Sequence, residues 1–378
     1  MAYTETVKVG VLFSETGVTS AIESSQLYGT LFAISEINDA GGIGGMELVP
    51  VRYDPASNPE KYREFAERLI LTNNVQVIFG CYMSSARKAV VPVVERWNRL
   101  LFYPTLYEGF EYSENVIYTG AAPNQNSVQL ADFMTSNFGA RVYLVGSNYI
   151  YPYESNRIMS DLVSQYRGGA KVGERYVRLD AAEEDFTAII DDIRATNPDF
   201  IFSTVVGNAT QHFYRAYARA GLDPASMPIA SLTTSESAVE QMGADIAEGH
   251  ITAAPYFRSI ASATNRACLE KFGRMYGCET VPNASWEAAY FQVHLFARAM
   301  RAAGSADIET LMPELLRSKF DAPQGPVSID PSTHHTHLNP RIGRVNQEGQ
   351  FDIVWESEAP IRPDPYLVAH ALGDWMVR

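Results

Sequence analysis

The sequence has few cysteines, no long apolar run and a deficit of positive charge. Its 378 residues include three cysteines, Cys81, Cys268 and Cys278, and this odd number favours a reducing compartment. No apolar run reaches the roughly 18–20 residues that span a bilayer. Lysine and arginine total 30 against 44 acidic residues, and the net charge of −14 argues against direct nucleic-acid binding because polyanions are repelled.

The start of the sequence also lacks the apolar core of a signal peptide. Residues 1–8 run directly into a strand-like segment. We therefore predict a cytoplasmic protein, or a periplasmic one if a signal peptide has been removed from the chain.

Several enzyme motifs are missing as well. G-x-S-x-G, H-E-x-x-H and the Walker phosphate loop do not occur. Ser85 and Lys88 fit the S-x-x-K motif of β-lactamases, but its S-D-N and K-T-G companions are absent, and a serine at a helix start is usually an N-cap. The glycines of 41–45 follow a helix and precede a strand, which predicts a connector and not a dinucleotide loop. We predict no catalytic residue and no enzyme.

Metal and thiol chemistry are not indicated either. His334, His335 and His337 lie on a polar loop without a cysteine or carboxylate at ligand spacing, so we expect solvated histidines and no metal. Cys81 has no partner histidine supplied by a local motif, and we expect a packed thiol. No cofactor is predicted.

The pattern that is present alternates strands with helices. Such alternation predicts right-handed βαβ units with parallel sheets, and it restarts near residue 121. A chain of this length usually needs two cores. We therefore predict an α/β protein with two doubly wound parallel-sheet lobes.

The later part of the chain decides how the lobes are connected. The segment 251–257 resembles a strand that returns to the first lobe, and 325–329 precedes a predicted hairpin assigned to the second. The predicted lobes are 1–120 with 251–328, and 121–250 with 329–378. We expect three crossings to form a hinge around a ligand cleft.

Tyrosines beside small polar groups follow three of the predicted strands. In open α/β sheets, ligands bind outside the carboxyl ends of the strands. We therefore expect two groups of residues to meet a ligand, Tyr82, Ser84, Tyr103 and Thr105 in the first lobe, and Tyr149, Tyr151 and Val206 in the second.

The chemistry of these residues indicates a small, flat, neutral ligand. A free amino acid needs a carboxylate for its ammonium group, and only Glu15, Glu108 and Glu236 are candidates in these stretches. A primary amide or urea needs donors at its oxygen and acceptors at its nitrogen. Ser84 would serve the oxygen, and the hydroxyls of Thr105 and Tyr149 would serve the nitrogen.

Long stretches around these positions resemble the amide receptors of bacterial aliphatic amidase operons. The resemblance runs almost from end to end and is carried by these segments among others: Gly80-Cys81-Tyr82-Met83-Ser84, Tyr103-Pro104-Thr105, Tyr107-Glu108-Gly109-Phe110, Tyr149-Ile150-Tyr151-Pro152, Phe202-Ser203-Thr204-Val205-Val206-Gly207 and Ser231-Leu232-Thr233-Thr234-Ser235-Glu236.

This resemblance implies a type I periplasmic-binding-protein fold that closes on a short amide such as acetamide or propionamide. It implies a cytoplasmic negative regulator that controls an RNA-binding antitermination protein, and a homodimer is left open. The implied site holds the amide through Ser84, Thr105 and Tyr149. The other residues placed in the site are Tyr82, Tyr103, Tyr151, Leu106, Val206 and Thr233.

Departures from the receptor leave other functions open. Leu106 stands where the receptor has proline, Asn148 where it has aspartate, and Tyr153 where it has arginine. A longer side chain at Leu106 alters the expected preference among acetamide, propionamide and urea. The chain also resembles the urea-binding components of ABC importers, so an importer receptor for urea or amides is the alternative. An amide-hydrolysing enzyme is a third possibility without a supporting nucleophile motif.

Overall fold

The computed structural model of the protein describes residues 5–166, 168–277 and 280–370, and Cys278 lies outside them. Two compact units can be distinguished. The N-terminal unit contains the described residues up to Leu106, those from Glu111 to Ala121 and those from Ala261 to Leu338. The C-terminal unit contains Tyr107 to Phe110, Ala122 to Ile260 and the described residues from Asn339 onward.

Fifteen strands and twelve α-helices occur in the described residues. Those of the N-terminal unit are β1 (Glu5–Leu12), α1 (Ser20–Asp39), β2 (Met46–Arg52), α2 (Pro59–Leu71), β3 (Val77–Gly80), α3 (Ser84–Arg96), β4 (Leu100–Tyr103), β5 (Val116–Tyr118), α10 (Ala263–Tyr276), α11 (Ala284–Ala303), α12 (Ile308–Leu315), β11 (Lys319–Ala322), β12 (Gly325–Ile329) and β13 (Thr336–His337).

The C-terminal unit has the remaining elements, together with three short 3-10 helices at Pro123–Gln125, Glu183–Phe186 and Val368–His370. They are α4 (Ser127–Asn137), β6 (Arg141–Ser147), α5 (Ile150–Ser164), β7 (Ala170–Val177), α6 (Thr187–Thr196), β8 (Phe200–Thr204), α7 (Ala209–Arg219), β9 (Ile229–Ser231), α8 (Glu236–Met242), α9 (Ala244–Ala247), β10 (Ile251–Ala254), β14 (Arg341–Val345) and β15 (Phe351–Glu356).

The main sheet of the N-terminal unit is parallel throughout. Its strand order is β2-β1-β3-β4-β5. All residues of β3, β4 and β5 are buried, as expected where helices cover both faces of a parallel sheet. This is a doubly wound arrangement, and the sequence-based prediction is confirmed.

The sheet of the C-terminal unit repeats that order and then adds a hairpin. Its strand order is β15-β14-β10-β9-β8-β6-β7. The parallel strands β7-β6-β8-β9-β10 correspond one by one to β2-β1-β3-β4-β5 of the N-terminal unit. The β14–β15 hairpin joins β10 as an antiparallel edge. The predicted restart of the pattern is thus observed.

One strand placement predicted from the sequence is wrong. The segment 251–257 was expected in the first lobe, but β10 pairs in parallel with β9 and completes the second repeat. Strand β12, predicted at 325–329 on the boundary between the lobes, pairs with β11 and β13 in a small antiparallel sheet of the N-terminal unit. The chain accordingly changes units after Ile260 and Leu338 and not after 250 and 328.

Helix α1 lies very close to α11 in the N-terminal unit. A Cβ atom on Gly29 would stand 2.4 Å from the backbone oxygen of Trp286. The Trp286 ring stacks on Tyr290, with 5.5 Å between ring centroids, and it packs against Phe32 of α1. This contact fixes α1 and therefore the polar residues near its N-terminus.

The histidine loop differs from its sequence-based prediction. His334 and His335 are buried and not solvated, and the His335 ring stacks on Tyr118 at 4.1 Å. Burial lowers the pKa of His335 to about 4, so it is neutral at pH 7. No group of three or more potential metal ligands occurs in the described residues, and none of their helices is long and apolar enough to cross a bilayer.

Candidate functional site

Neighbouring strands of the N-terminal sheet bring their following residues together. Strand β1 lies beside β3, and β3 lies beside β4, all in parallel. The backbone N–H of Cys81 donates to the carbonyl of Leu12 at 3.0 Å. The residues that follow β1, β3 and β4 therefore meet at one edge of the sheet, as parallel strands require.

The turn from β3 into α3 places Ser84 at this edge. Cys81 adopts a φ of +71°, a left-handed conformation that is uncommon for a residue other than glycine. It reverses the chain so that α3 begins at Ser84, with Met83 as an N-cap that supplies no side-chain hydrogen bond. Ser85 is therefore not the expected N-cap but lies in the first turn.

Ser84 is held by a buried cation. Its side chain is nearly inaccessible, and its Oγ accepts a hydrogen bond from Nη1 of Arg87 at 3.2 Å. Arg87 also donates to Glu111, at 2.7 Å through Nε, and its guanidinium lies 4.9 Å from the ring centroid of Tyr103. The hydroxyl of Tyr103 donates to the carbonyl of Tyr82 at 2.7 Å. These contacts make a rigid support beneath Ser84.

Thr105 lies two residues beyond β4 and touches helix α1. Its Oγ1 accepts from Nε2 of Gln26 at 2.8 Å and donates to the carbonyl of Cys81 at 3.3 Å. Thr105 is 5 % exposed and Gln26 is fully buried. The backbone at Thr105 is also tightly enclosed, since a Cβ atom on Gly120 would stand 2.0 Å from its carbonyl carbon.

A buried carboxyl group adjoins this edge. Glu23 of α1 accepts hydrogen bonds from the Thr19 hydroxyl at 2.6 Å, the Ser14 backbone N–H at 2.7 Å and the Tyr62 hydroxyl. Burial raises the pKa of Glu23 to about 7 although these hydrogen bonds oppose the shift. Burial therefore favours the protonated form of this carboxyl more than in an exposed glutamate.

The C-terminal unit forms a corresponding edge from β6, β8 and β9. The backbone N–H of Val206 donates to the Ser147 hydroxyl at 3.2 Å. The Thr233 hydroxyl donates to the carbonyl of Val205 at 3.2 Å. The structure thus brings Val206 and Thr233 to adjacent strand ends of their own unit, as their positions in the sequence suggested.

Tyr149 and Tyr151 begin helix α5 beside the end of β6. Tyr149 is the extended residue before the helix, and its ring centroid lies 6.2 Å from that of Tyr151. Tyr151 is buried, whereas Tyr149 is half-buried. The pair therefore presents two aromatic rings at the same edge of the C-terminal unit.

Each of the three carboxylates that the sequence offered for the ammonium group of an amino-acid ligand has another partner or is buried. Glu15 is exposed and forms an ion pair with Arg52 at 2.7 Å. Glu236 accepts from the backbone N–H of Arg258 at 2.7 Å, and burial raises its pKa to about 7. Glu108 is buried in the C-terminal unit. Glu15 and Glu236 thus each bind another group within their own unit.

The remaining predicted residues lie in the N-terminal unit. Tyr82 is buried beside the turn that leads to Ser84, and Leu106 packs against the hydrophobic core of this unit while staying partly exposed. Cys81 is a buried free cysteine, as predicted, and burial raises the pKa of its thiol far above the ordinary value. A neutral, enclosed thiol is a poor nucleophile.

Sequence reasoning missed the residues that support the two hydroxyls. Gln26 and Arg87 contact Thr105 and Ser84, and both are fully buried. One signal was present in α1, where Glu23, Gln26 and Thr30 recur at helical spacing among apolar residues. Polar side chains on the buried face of a helix must find partners, which marks them for inspection.

Three comparisons relate the chain to known proteins. The family described as "Periplasmic binding protein domain" matches residues 7–371. The chain is 24% identical over 344 residues to Leu/Ile/Val-binding protein homolog 6 of Brucella melitensis biotype 1, covering 89% of this chain and 87% of that protein. It is 33% identical over 126 residues to a limonene hydroxylase of Geobacillus stearothermophilus, but this match covers 33% of the chain and only 23% of that protein.

A solved structure has the same architecture. It is the solute-binding protein of an ABC transporter from Rhodopseudomonas palustris BisB5 in complex with 3,4-dihydroxybenzoic acid. The TM-score is 0.85 at 22% identity, and the alignment covers 95% of this chain and 99% of that one. This likeness confirms the predicted type I periplasmic-binding-protein fold.

The family match covers nearly the whole chain, and its members are binding proteins, which agrees with the prediction that this protein is not an enzyme. The chain belongs to the periplasmic binding protein family and is a ligand-binding protein with the type I fold.

Proposed function

We propose that the chain is the substrate-binding component of an ABC importer and that it binds a small neutral amide, such as urea or a short aliphatic amide. The observation that carries this proposal is the pair of buried hydroxyls, Ser84 and Thr105, at the ends of neighbouring strands β3 and β4. Sequence resemblance to urea-binding importer components and amide receptors supports the ligand class.

The comparisons favour an importer component over a regulator. The Brucella relative is named for binding leucine, isoleucine and valine, and the Rhodopseudomonas structure belongs to an ABC transporter. The expected cytoplasmic sensor with an RNA-binding antitermination partner finds no support in them. The family name refers to periplasmic proteins, so we place the protein in the periplasm as part of this proposal. Fractionation of cells that express the native gene tests this location, and a purely cytoplasmic product would contradict it.

Charge around the two hydroxyls supports a neutral ligand. Arg87, the cation that contacts Ser84, is already paired with Glu111. A carboxylate ligand would therefore meet a cation that already has a carboxylate partner, and a desolvated charge without a counter-ion is costly. Both relatives bind molecules with a carboxyl group according to their names, so leucine and benzoate are the appropriate competitors.

A thermal-shift panel tests the ligand class. Acetamide, propionamide and urea are expected to raise the melting temperature, because a ligand that binds only the native state stabilises it by RT ln(1 + [L]/Kd), or about 2.7 kcal/mol at one hundred times Kd. Stabilisation by leucine or benzoate, without stabilisation by any amide, would show that the protein binds carboxylates instead.

Substituting Thr105→Val is expected to weaken propionamide binding by about 1–3 kcal/mol. Valine has nearly the same shape as threonine, but a polar group of the ligand would lose its hydrogen-bond partner in a site shielded from water. Isothermal titration calorimetry gives the change in Kd. Thr30→Val is a matched control, because the Thr30 hydroxyl is buried in the same unit and makes no hydrogen bond among the described residues. Equal affinities in the two variants would remove Thr105 from the site.

A further inference from the structure

An exposed aromatic ring stands on a strained backbone position in the C-terminal unit. Phe110 has a φ of +58°, in the left-handed region that disfavours a bulky side chain. Its backbone N–H donates to the carbonyl of Pro365 at 2.9 Å, and a Cβ atom on Gly109 would stand 2.3 Å from the same carbonyl oxygen. The backbone is thus pressed against Pro365, and glycine or asparagine at position 110 would adopt this conformation at lower cost.

Burial does not explain why phenylalanine occupies this position. The Phe110 ring is 45 % exposed, so much of its apolar surface stays in water. The guanidinium of Arg157 lies 5.3 Å from the centroid of this ring. Tyr366, which is 43 % exposed, lies nearly perpendicular to it with 6.2 Å between the ring centroids. These contacts orient the Phe110 ring without covering it. A strained residue with a large exposed ring indicates a role outside the fold itself.

The exposed surface continues along helix α5. Tyr153 lies one turn before Arg157 on the same face of the helix. Its ring is partly exposed and stacks on Tyr176 of β7 at 4.0 Å. We call Phe110, Tyr366, Arg157 and Tyr153 the aromatic strip, and all four belong to the C-terminal unit. Aromatic residues and arginine are enriched at the centres of protein–protein interfaces, whereas lysine is depleted there. The composition of the strip is therefore that of a protein-binding surface.

The position of the aromatic strip indicates which partner it meets. The Tyr153 hydroxyl donates to Oδ1 of Asn148 at 3.0 Å, and Asn148 directly follows strand β6. Tyr149 and Tyr151 begin α5 at the same place. The strip thus starts at the candidate ligand edge of the C-terminal unit. A protein seated on it would lie next to the ligand, which suits a subunit that receives the ligand.

Charge argues against a second copy of the chain as that partner. Arg157 forms ion pairs with Glu154 and Asp161, each at 3.0 Å, so two carboxylates flank the single guanidinium of the strip. Two copies of a protein with a net charge of −14 also repel each other. A complementary surface therefore has basic side chains around an apolar pocket for the Phe110 ring.

We propose that the aromatic strip is the surface through which the chain docks on the membrane transport subunit of its importer, with the Phe110 ring as the central contact. The docking surface of that subunit has an apolar pocket bordered by lysine or arginine. The inference rests on the proposed function, because a substrate-binding component delivers its ligand to such a subunit.

Uptake of radiolabelled propionamide tests the inference in cells that lack the native gene and express each variant. Phe110→Asn removes the ring, and asparagine tolerates the left-handed backbone, so this variant is expected to fold and to bind propionamide with unchanged affinity. Its uptake is expected to fall at least about tenfold, as when a central aromatic contact of an interface is removed. Tyr366→Asn removes a second ring of the strip and is expected to lower uptake as well.

Leu71→Asn is the matched control, because it makes the same kind of change at an exposed apolar residue elsewhere. Leu71 ends helix α2 in the N-terminal unit and is 58 % exposed. Its uptake and its propionamide affinity are expected to stay unchanged. Melting temperatures show whether each purified variant folds, and immunoblots show whether the cells contain equal amounts of each.

The outcomes separate this inference from the proposed function. If Phe110→Asn and Tyr366→Asn bind propionamide normally and support normal uptake, the docking surface is wrong and the proposed function stands. Weaker propionamide binding by the two variants in calorimetry would place the strip in the ligand site and overturn the inference.

Two further results would also overturn it. Analytical ultracentrifugation that shows a dimer of the unaltered protein and a monomer of Phe110→Asn would assign the strip to a second copy. If the unaltered protein neither binds amides or urea nor supports uptake, the proposed function fails and the inference fails with it.

Discussion

Replacing Arg87 with methionine is expected to lower the free energy of unfolding by about 3–5 kcal/mol, because it breaks a buried ion pair and leaves one partner uncompensated. Arg87 is fully buried, and its partner Glu111 is 16 % exposed in its side chain. Lys88, at 3.0 Å from Glu111, retains part of the charge balance and places the effect at the lower end of that range. Urea denaturation of the purified protein measures the loss.

The double variant Arg87→Met, Glu111→Met is the matched control. It removes both charges, so its unfolding free energy is expected to exceed that of the single variant, with a coupling energy of about 1–3 kcal/mol between the two positions. If the single variant loses less than about 1 kcal/mol, the pair is not an important source of stability, and another explanation is needed for the burial of Arg87.

The pair also gives the protein a defined response to acid. Burial by itself raises the pKa of Glu111, but the charge and hydrogen bonds of Arg87, with Lys88, lower it from 4.5 to about 2. Because the folded-state pKa lies below the unfolded value, this stabilisation is present above about pH 4.5 and disappears as the pH falls toward 2. In Arg87→Met the acid-induced loss between these values is expected to shrink.

Replacing Gly120 with alanine is expected to destabilise the N-terminal unit by at least about 1–3 kcal/mol and to weaken propionamide binding. The added Cβ would stand 2.0 Å from the Thr105 carbonyl carbon and 2.3 Å from the Leu106 backbone nitrogen. These are backbone atoms, so no side-chain rotation relieves the overlap, and the segment that carries Thr105 must move. Urea denaturation and calorimetry measure the two effects.

Gly273→Ala makes the same chemical change where space is available. Gly273 lies inside helix α10, and nothing stands within 4 Å of the position that its Cβ atom would take. Alanine is favoured over glycine in a helix interior, so this variant is expected to be more stable by about 0.5–1 kcal/mol and to bind propionamide normally. Unaltered stability and binding in Gly120→Ala would mean that the two backbone segments are not held against each other.

The repeated α/β organisation could be predicted from the sequence because it depends on local signals. Apolar runs such as Val77–Gly80 and Leu100–Tyr103 are short and continuous, as strands of a covered parallel sheet must be. Ser84 and Thr105 could be placed at strand ends for the same reason. The ends of the strands were identifiable to within a few residues, and the direction of each chain segment followed from the alternation.

Strand partners were less predictable. Ile251–Ala254 looked like a strand, but nothing within those four residues specifies a sheet. Its pairing with β9 follows from the whole repeat, in which each unit needs a fifth parallel strand. The histidines of 334–337 were wrongly predicted to be solvated for a similar reason. Tyr118, which is more than two hundred residues away in the sequence, covers His335.

The sequence by itself determined two doubly wound sheets and a set of polar and aromatic residues at their strand ends, since periodicity and strand ends are local properties. Only the tertiary structure decided which buried side chains contact Thr105 and Ser84. Gln26 reaches Thr105 from 79 positions away, and Arg87 is held by a carboxylate 24 positions away. Contacts between residues so far apart in the sequence depend on how the chain folds and leave no local pattern in the sequence.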